Sequence, residues 1–266
     1  MKKRILILSL AIILGASLSL VGCGSSTPAP AAEPATPAAP AVAAMPASAS
    51  GVEWTQDYIS QVEPMMFRDT FLEILGQVDE PIPYYYTEAV KLSGHSCAAI
   101  TGAWTITKKA MEALYGDETP VRGQIKITMP GPADQYFIGV FGEVFTYLTG
   151  AAPESGFPGS DFGPTYNRRN LLVYPEDVTK LPFAALEYVF ERTDTGRKVG
   201  VVYNMTMVVP VSTPEIAALY PGLVAGTLTA EENATFVTWW NDRAINTLVN
   251  EDQEGFLRVR VIEEGN

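Results

Sequence analysis

A histidine and a cysteine two positions apart, His95 and Cys97, are the side chains of this sequence best suited to chemistry. His95 is the only histidine, and Cys97 is the only cysteine besides Cys23. Apolar residues recur at helical spacing from Ile100, which predicts that a helix begins close to Cys97. A thiol at the start of a helix faces free backbone N–H groups and the positive end of the helix dipole. We therefore expect the thiolate form to be favoured there.

A thiolate next to an imidazole predicts a metal site or a nucleophile pair. The two ligand types together favour zinc, with copper as the alternative. Zinc usually takes four ligands, so Asp134 or a tyrosine is the predicted third protein ligand of a site at His95 and Cys97. A Cys–His pair would also suit a thiol-dependent enzyme. The competing interpretation is structural, with an inert buried thiol and a hydrogen-bonded histidine.

Two further groups of side chains are candidates for a ligand pocket. The tyrosines at 84–86 are consecutive and cannot share one helical face, so Tyr85 or Tyr86 is expected to point toward the pocket. Arg168 and Arg169 enter a predicted strand, where forked guanidinium donors suit an anion clamp. The alternative is that they pair with the surplus Asp and Glu of the chain. Successive strand residues face opposite sides, so at most one arginine would face the pocket.

The elements that position these residues follow from periodicity and from Gly and Pro breaks. A helix is predicted over 54–77, with a restart at Pro64, and a short helix leads from the tyrosines at 84–86 into the His–Cys turn. Further helices are predicted over 100–114, 135–149, 214–219 and 230–249. Thr229 is the predicted N-cap of the last one. Strands are predicted over 122–129, 170–174, 184–192, 198–204 with continuation to 211, and 256–262. Helices first and antiparallel strands later favour an α+β fold, a mainly antiparallel sheet covered by helices in a single globular domain over 52–266.

The segment Gly94-His95-Ser96-Cys97, followed by Gly102 and an alanine-bearing helix, resembles the Gly-His-x-Cys-Pro-Gly segment of formylmethanofuran dehydrogenase E-like domains. Shorter similarities follow in order at 123–127, Asp134, 167–173 and 195–199, so the resemblance covers about residues 80–205. It implies an antiparallel sheet covered by helices. The sequence has Ala98 where the family has proline, Ser93 where it often has histidine, and no second cysteine near Asp134.

Residues 1–22 have the features of a bacterial lipoprotein signal peptide. A basic start precedes the apolar run 5–20, and the run ends at Leu20-Val21-Gly22-Cys23, which resembles a lipobox. Cys23 is the predicted lipidation site, a diacylglycerol cysteine that also carries palmitate. Residues 23–51 form the lipidated cysteine and a linker rich in Ala and Pro, typical of an extended tether. We expect anchoring to the bacterial cell membrane or outer membrane, with the domain facing the periplasm or the exterior.

The acidic composition argues against nucleic acid as a partner. Removal of residues 1–22 takes away three of the 18 Lys and Arg residues and none of the 30 Asp and Glu residues, which leaves a net charge near −15. Nucleic-acid binding requires a basic footprint.

The sequence predicts a lipid-anchored protein, similar to the formylmethanofuran dehydrogenase E-like domains, that binds a metal ion or a small ligand at the His-x-Cys turn. The alternatives are an accessory protein of a membrane complex and a thiol-dependent enzyme; a homodimer is a further expectation for its partners.

Overall fold

A five-stranded sheet with helices packed on one face is the centre of the fold. The structure is a computed structural model that describes residues 51–160, 162–163, 166–176, 185–249 and 255–262. Its strands are β1 (Met65–Phe67), β2 (Ile82–Tyr84), β3 (Ile125–Thr128), β4 (Leu172–Val173), β5 (Ala185–Arg192), β6 (Lys198–Asn204) and β7 (Leu257–Ile262). The order in the large sheet is β4-β3-β5-β6-β7, and only the pairing of β3 with β4 is parallel. Strands β1 and β2 form a separate antiparallel pair.

Seven α-helices lie in the described part of the chain. They are α1 (Tyr58–Gln61), α2 (Thr70–Ile74), α3 (Tyr86–Ser93), α4 (Ala98–Tyr115), α5 (Ile138–Thr149), α6 (Pro214–Ala225) and α7 (Ala230–Val249). The predicted α+β class is confirmed. Thr229 caps α7 as predicted, because its hydroxyl accepts from the Glu232 N–H at 3.2 Å. None of the described helices combines the length and the apolar character that a membrane crossing requires.

The predicted long helix over 54–77 is wrong. Helix α1 is a single turn, and Pro64 cannot continue it because proline lacks a backbone N–H. The next residues form β1, whose Met65 pairs with Tyr84 of β2. Helix α2 then starts afresh at Asp69, whose carboxylate accepts from the first free N–H groups of that helix. A strand partner distant in sequence thus outweighs the local helical spacing, as tertiary context often does.

The predicted continuation of β6 to residue 211 is also wrong. The side chain of Asn204 accepts from the backbone N–H of Thr206 at 3.1 Å, and this bond turns the chain out of the sheet. A short 3₁₀ turn over Met205–Met207 follows, and it leads to the segment that precedes α6.

Helix α4 forms the centre of the core, where it packs against β6 between α5 and α7. Gly102 allows this close approach, because a Cβ atom at that position would lie 2.7 Å from Cζ of Tyr203. The Tyr203 hydroxyl donates to the carbonyl of Ala98 at 3.0 Å. The N-terminal end of α4 is therefore fixed to the sheet through β6.

The opposite face of the sheet is polar. Along β5 the buried positions alternate with more exposed ones, as expected when one face meets the core and the other meets solvent. Glu187 of β5 accepts from Nη2 of Arg260 at 2.8 Å and also from its Nε. Gly200 lies beneath this pair, and a Cβ atom there would meet the Glu187 carboxylate at 2.2 Å. The charges of Glu187 and Arg260 thus compensate each other within the sheet.

Candidate functional site

Cys97 lies at the start of α4, as predicted. It is the N-cap residue, its backbone is extended, and its carbonyl accepts from the N–H of Thr101 at 3.0 Å. Burial raises the pKa of the Cys97 thiol, although the N–H groups of Ile100 and Ala99 and the charge of Arg243 act in the opposite direction. The expected stabilisation of the thiolate is therefore wrong, because the loss of solvation exceeds the effect of the helix terminus.

The turn that leads into α4 is held from three sides by aromatic side chains. The Ser96 hydroxyl is 2.7 Å from the Tyr86 hydroxyl and accepts from the Tyr58 hydroxyl at 2.8 Å. The Ser96 carbonyl accepts from the indole Nε1 of Trp240 at 2.7 Å. Because each of these partners comes from a different helix, the position of Cys97 is fixed by tertiary contacts as well as by α4.

A cavity of about 210 Å³ opens beside the thiol, and we call it the Cys97 cavity. Its wall consists of the first turn of α4 and of aromatic and cationic side chains from α6 and α7: Cys97, Ala98, Ala99, Tyr220, Trp239, Trp240 and Arg243. A second cavity of about 420 Å³ shares Tyr220 and Trp240 with it and is otherwise lined by Leu223, Phe236, Val237 and Asn241. The thiol end is thus polar and cationic, and the second cavity is almost entirely apolar.

Arg243 brings a positive charge to the wall of the Cys97 cavity. Its Nη1 donates to the carbonyls of Val208 and Pro210 at 2.9 and 2.7 Å, and its guanidinium carbon lies 5.2 Å from the centre of the Trp239 ring. None of the described Asp and Glu side chains forms an ion pair with it. Burial lowers the pKa of Arg243, but an arginine remains charged under all ordinary conditions.

His95 does not lie in the cavity wall. Its ring is exposed, with Nδ1 3.1 Å from the carbonyl of Ser93 and the ring centroid 6.1 Å from that of Trp240. Because a carbonyl only accepts, we assign the proton to Nδ1, which leaves Nε2 as the free acceptor of the neutral ring. The histidine is therefore at the rim of the site, next to one of its wall residues.

The predicted third metal ligand is not brought to His95 and Cys97. Asp134 is exposed in the loop between β3 and α5. Within the described ranges, no three side chains among His, Cys, Asp and Glu lie close enough together to hold a metal ion.

The tyrosines predicted for the pocket have supporting positions. Tyr86 is buried and bonded to Ser96, so it stabilises the turn without lining the Cys97 cavity. Tyr85 is half-buried at the start of α3, where its backbone N–H donates to the Glu88 carboxylate at 3.2 Å. The tyrosine that does line the cavity is Tyr220 of α6.

The two arginines predicted as an anion clamp lie elsewhere. Arg168 donates to the carboxylate of Asp69 at 2.5 Å, and Arg122 donates to the same oxygen at 3.0 Å. Arg169 is exposed, and its backbone N–H donates to the Asn167 side chain. For Arg168 the structure thus bears out the pairing alternative. Cys23, the predicted lipidation site, lies outside the described residues.

The sequence interpretation missed Arg243 and assigned the tryptophans of α7 to the core. One signal was available, since Trp239 and Arg243 are four positions apart on a predicted helix and must therefore be neighbours on its surface.

No protein-family model and no curated protein matches this chain. The resemblance to formylmethanofuran dehydrogenase E-like domains stays a prediction, and a fold alone does not define a function.

Proposed function

We propose that this protein is a lipid-anchored extracytoplasmic domain that binds a small organic ligand in the Cys97 cavity. The supporting observation is the cavity itself, a concave site whose wall combines three aromatic rings with a thiol and an arginine. Ligand sites are typically concave, mainly apolar, and equipped with a few polar groups that orient the ligand. Cys97 and Arg243 are the polar groups here.

The size of the site suits a small molecule. The cavities of about 210 and 420 Å³ share Tyr220 and Trp240 in their walls, and the second falls in the range of about 300–1,000 Å³ common for ligand pockets. A ring system would contact Trp239 and Trp240 next to the thiol. An attached apolar group would extend past Tyr220 toward Leu223 and Val237.

The anchor is proposed from the sequence alone. A lipidated Cys23 would hold the domain at the membrane through its acyl chains, and the linker would let it reach several tens of Å into the extracytoplasmic space. Metabolic labelling with radioactive palmitate tests the anchor. Label should enter the wild-type chain and be absent from Cys23→Ala, and equal label in both would contradict lipidation at this residue.

A cavity-filling substitution tests the binding site. We expect the neutral fluorescent probe N-phenyl-1-naphthylamine to bind the full-length protein, and Ala99→Trp to abolish this binding because the indole occupies the cavity. Ala217→Trp, on an exposed position of α6, is the matched control and should retain binding. Titration of probe fluorescence, with detergent micelles alone as the blank, measures both. Absence of binding to the wild-type protein would overturn the proposal and favour an accessory protein of a membrane complex.

A metal ion is the second candidate ligand. The observation in its favour is that Cys97 is the N-cap residue of α4, where the positive end of the helix dipole would stabilise a bound thiolate. Elemental analysis of protein purified without chelator tests it, beside Cys97→Ser and His95→Ala. Near-stoichiometric zinc lost in both variants would support a metal centre at this turn. Equal metal content in all three proteins would exclude these two residues as its ligands.

A further inference from the structure

We infer that the ligand of the Cys97 cavity is an anion, a flat apolar molecule whose carboxylate is bound by Arg243. This inference rests on the proposed function and specifies the chemical class of its ligand. The thiol, the aromatic rings and the arginine all line one cavity, so a single molecule can contact all of them.

The hydrogen-bonding capacity of Arg243 is only partly used. A guanidinium group has five N–H donors. The two N–H groups of Nη1 are directed to the carbonyls of Val208 and Pro210. Nε and Nη2 have no acceptor among the described residues. Their three N–H groups are therefore available to a ligand.

The free edge of Arg243 is the edge that binds carboxylates. Nε and Nη2 lie on one side of the guanidinium and can donate two parallel hydrogen bonds to the two oxygens of one carboxylate. Elsewhere in this protein the same two atoms do so: Arg68 binds Glu73 through Nε at 2.8 Å and Nη2 at 2.6 Å, and Arg260 binds Glu187 in the same way. Arg243 presents this edge without a protein carboxylate among the described residues.

The surroundings of the free edge also favour a flat anion. The Arg243 guanidinium is half-buried and has no carboxylate partner among the described residues, so an anionic ligand would supply a counter-ion. The first turn of the long helix α4, at Ala98 and Ala99, lies in the same wall and adds the positive end of its dipole. Trp239, already beneath the guanidinium, and Trp240 provide apolar faces for a ring system.

A matched pair of probes tests the inference. 2-Naphthoate and 2-naphthamide have nearly the same shape and differ in charge, and isothermal titration calorimetry with the full-length protein in detergent, with micelles alone as blank, gives both affinities. We expect the wild-type protein to bind naphthoate about 10-fold more tightly, equivalent to about 1.4 kcal/mol, because a hydrogen bond to a charged group is stronger than one to a neutral amide. In Arg243→Gln this ratio should fall to near 1, because naphthoate loses more affinity than naphthamide. Arg260→Gln, a control on the solvent face of the sheet, should keep the wild-type ratio.

The outcomes separate the inference from the function on which it rests. Equal binding of the two probes by the wild-type protein would overturn the anion inference and leave ligand binding intact. A preference for naphthoate that persists in Arg243→Gln would overturn the role of Arg243. If neither probe and no N-phenyl-1-naphthylamine binds, the proposed function itself fails.

Arg243→Lys keeps the test decisive if Arg243→Gln fails to fold, which circular dichroism would reveal. Lysine retains the charge but not the fork, so naphthoate should bind several-fold more weakly than to the wild-type protein, and the ratio of naphthoate to naphthamide affinity should fall. Unchanged naphthoate affinity in this variant would overturn bidentate recognition.

Discussion

Two arginine sites of this molecule differ in whether a protein carboxylate pairs with the guanidinium groups. At the first, Arg122 and Arg168 share the carboxylate of Asp69, and all three side chains are nearly buried, with 13%, 14% and 3% exposed. At the second, Arg243 lines an open cavity and has no carboxylate partner among the described residues. The first site joins segments far apart in sequence, since Asp69 and Arg168 are separated by 99 positions.

The difference indicates which arginines hold the fold together and which can serve a ligand. Arg122 also donates to the carbonyls of Leu148 and Tyr147 at the end of α5, so its donors are directed to the protein itself. Arg243 uses Nη1 for structure, and its Nε and Nη2 have no acceptor among the described residues. Adjacent arginines in a sequence are thus a weaker sign of an anion site than one arginine whose carboxylate-binding edge is unoccupied.

The largest expected effect is a loss of stability at the site of Asp69. Asp69→Asn removes the carboxylate shared by two nearly buried arginines, and leaving such charges unpaired costs about 3–5 kcal/mol of unfolding free energy. Urea denaturation measures this loss. The exposed pair of Arg68 and Glu73 provides the control, since Glu73→Gln should have a far smaller effect. Similar losses for both variants would contradict the contrast between buried and exposed pairs.

A smaller loss of stability is expected at Arg243, which has no carboxylate partner among the described residues. Arg243→Gln removes the hydrogen bonds to the carbonyls of Val208 and Pro210 but strands no buried acid, so the unfolding free energy should fall by about 1–2 kcal/mol. The same denaturation experiment measures it. A loss as large as that of Asp69→Asn would mean that Arg243 is primarily structural and would end the distinction between the two sites.

A protein carboxylate beside Arg243 should make its site resemble that of Arg122 and Arg168, where the arginines already have a carboxylate partner. Glutamate in place of Ala99 lies in the first turn of α4, where an acidic residue is favoured by the helix dipole, and it lines the same cavity as Arg243. We expect Ala99→Glu to weaken naphthoate binding at least about 10-fold, equivalent to about 1.4 kcal/mol. Ala99→Gln, of equal size and no charge, should retain more binding. Equal losses of naphthoate affinity in the two variants would show that the size of the side chain at position 99, and not its charge, determines binding.

The smallest effect concerns the reactivity of Cys97. Because burial raises the pKa of this thiol, the thiolate fraction should be low at neutral pH, and it should still be growing at a pH where a free thiol has reached its plateau. Rates of iodoacetamide alkylation as a function of pH measure this. Bound naphthoate should slow the reaction a few-fold by covering the cavity. Rapid alkylation at neutral pH would contradict the raised pKa and revive the thiol-dependent enzyme.

Local patterns predicted the elements that depend on local interactions. The hairpin of β5 and β6, helix α7 with its Thr229 cap, and the position of Cys97 at the start of α4 all follow from spacing, caps and turn residues within a few positions. The helix over 54–77 was wrong because β1 finds its partner in β2 instead. Pairing between distant strands has no signature in a local window.

Composition and local spacing were sufficient for the α+β class, for the acidic charge that argues against nucleic acid, and for the His–Cys turn as a place of interest. Which side chains meet at that turn depends on the packing of distant segments. Trp240 bonds to Ser96 across 144 positions, and Tyr203 bonds to Ala98 across 105. The same packing raises the pKa of Cys97 by burial, the reverse of what its helix position predicted. Hydrogen bonds and desolvation are set by the segments that come together, and that packing is a property of the folded chain as a whole.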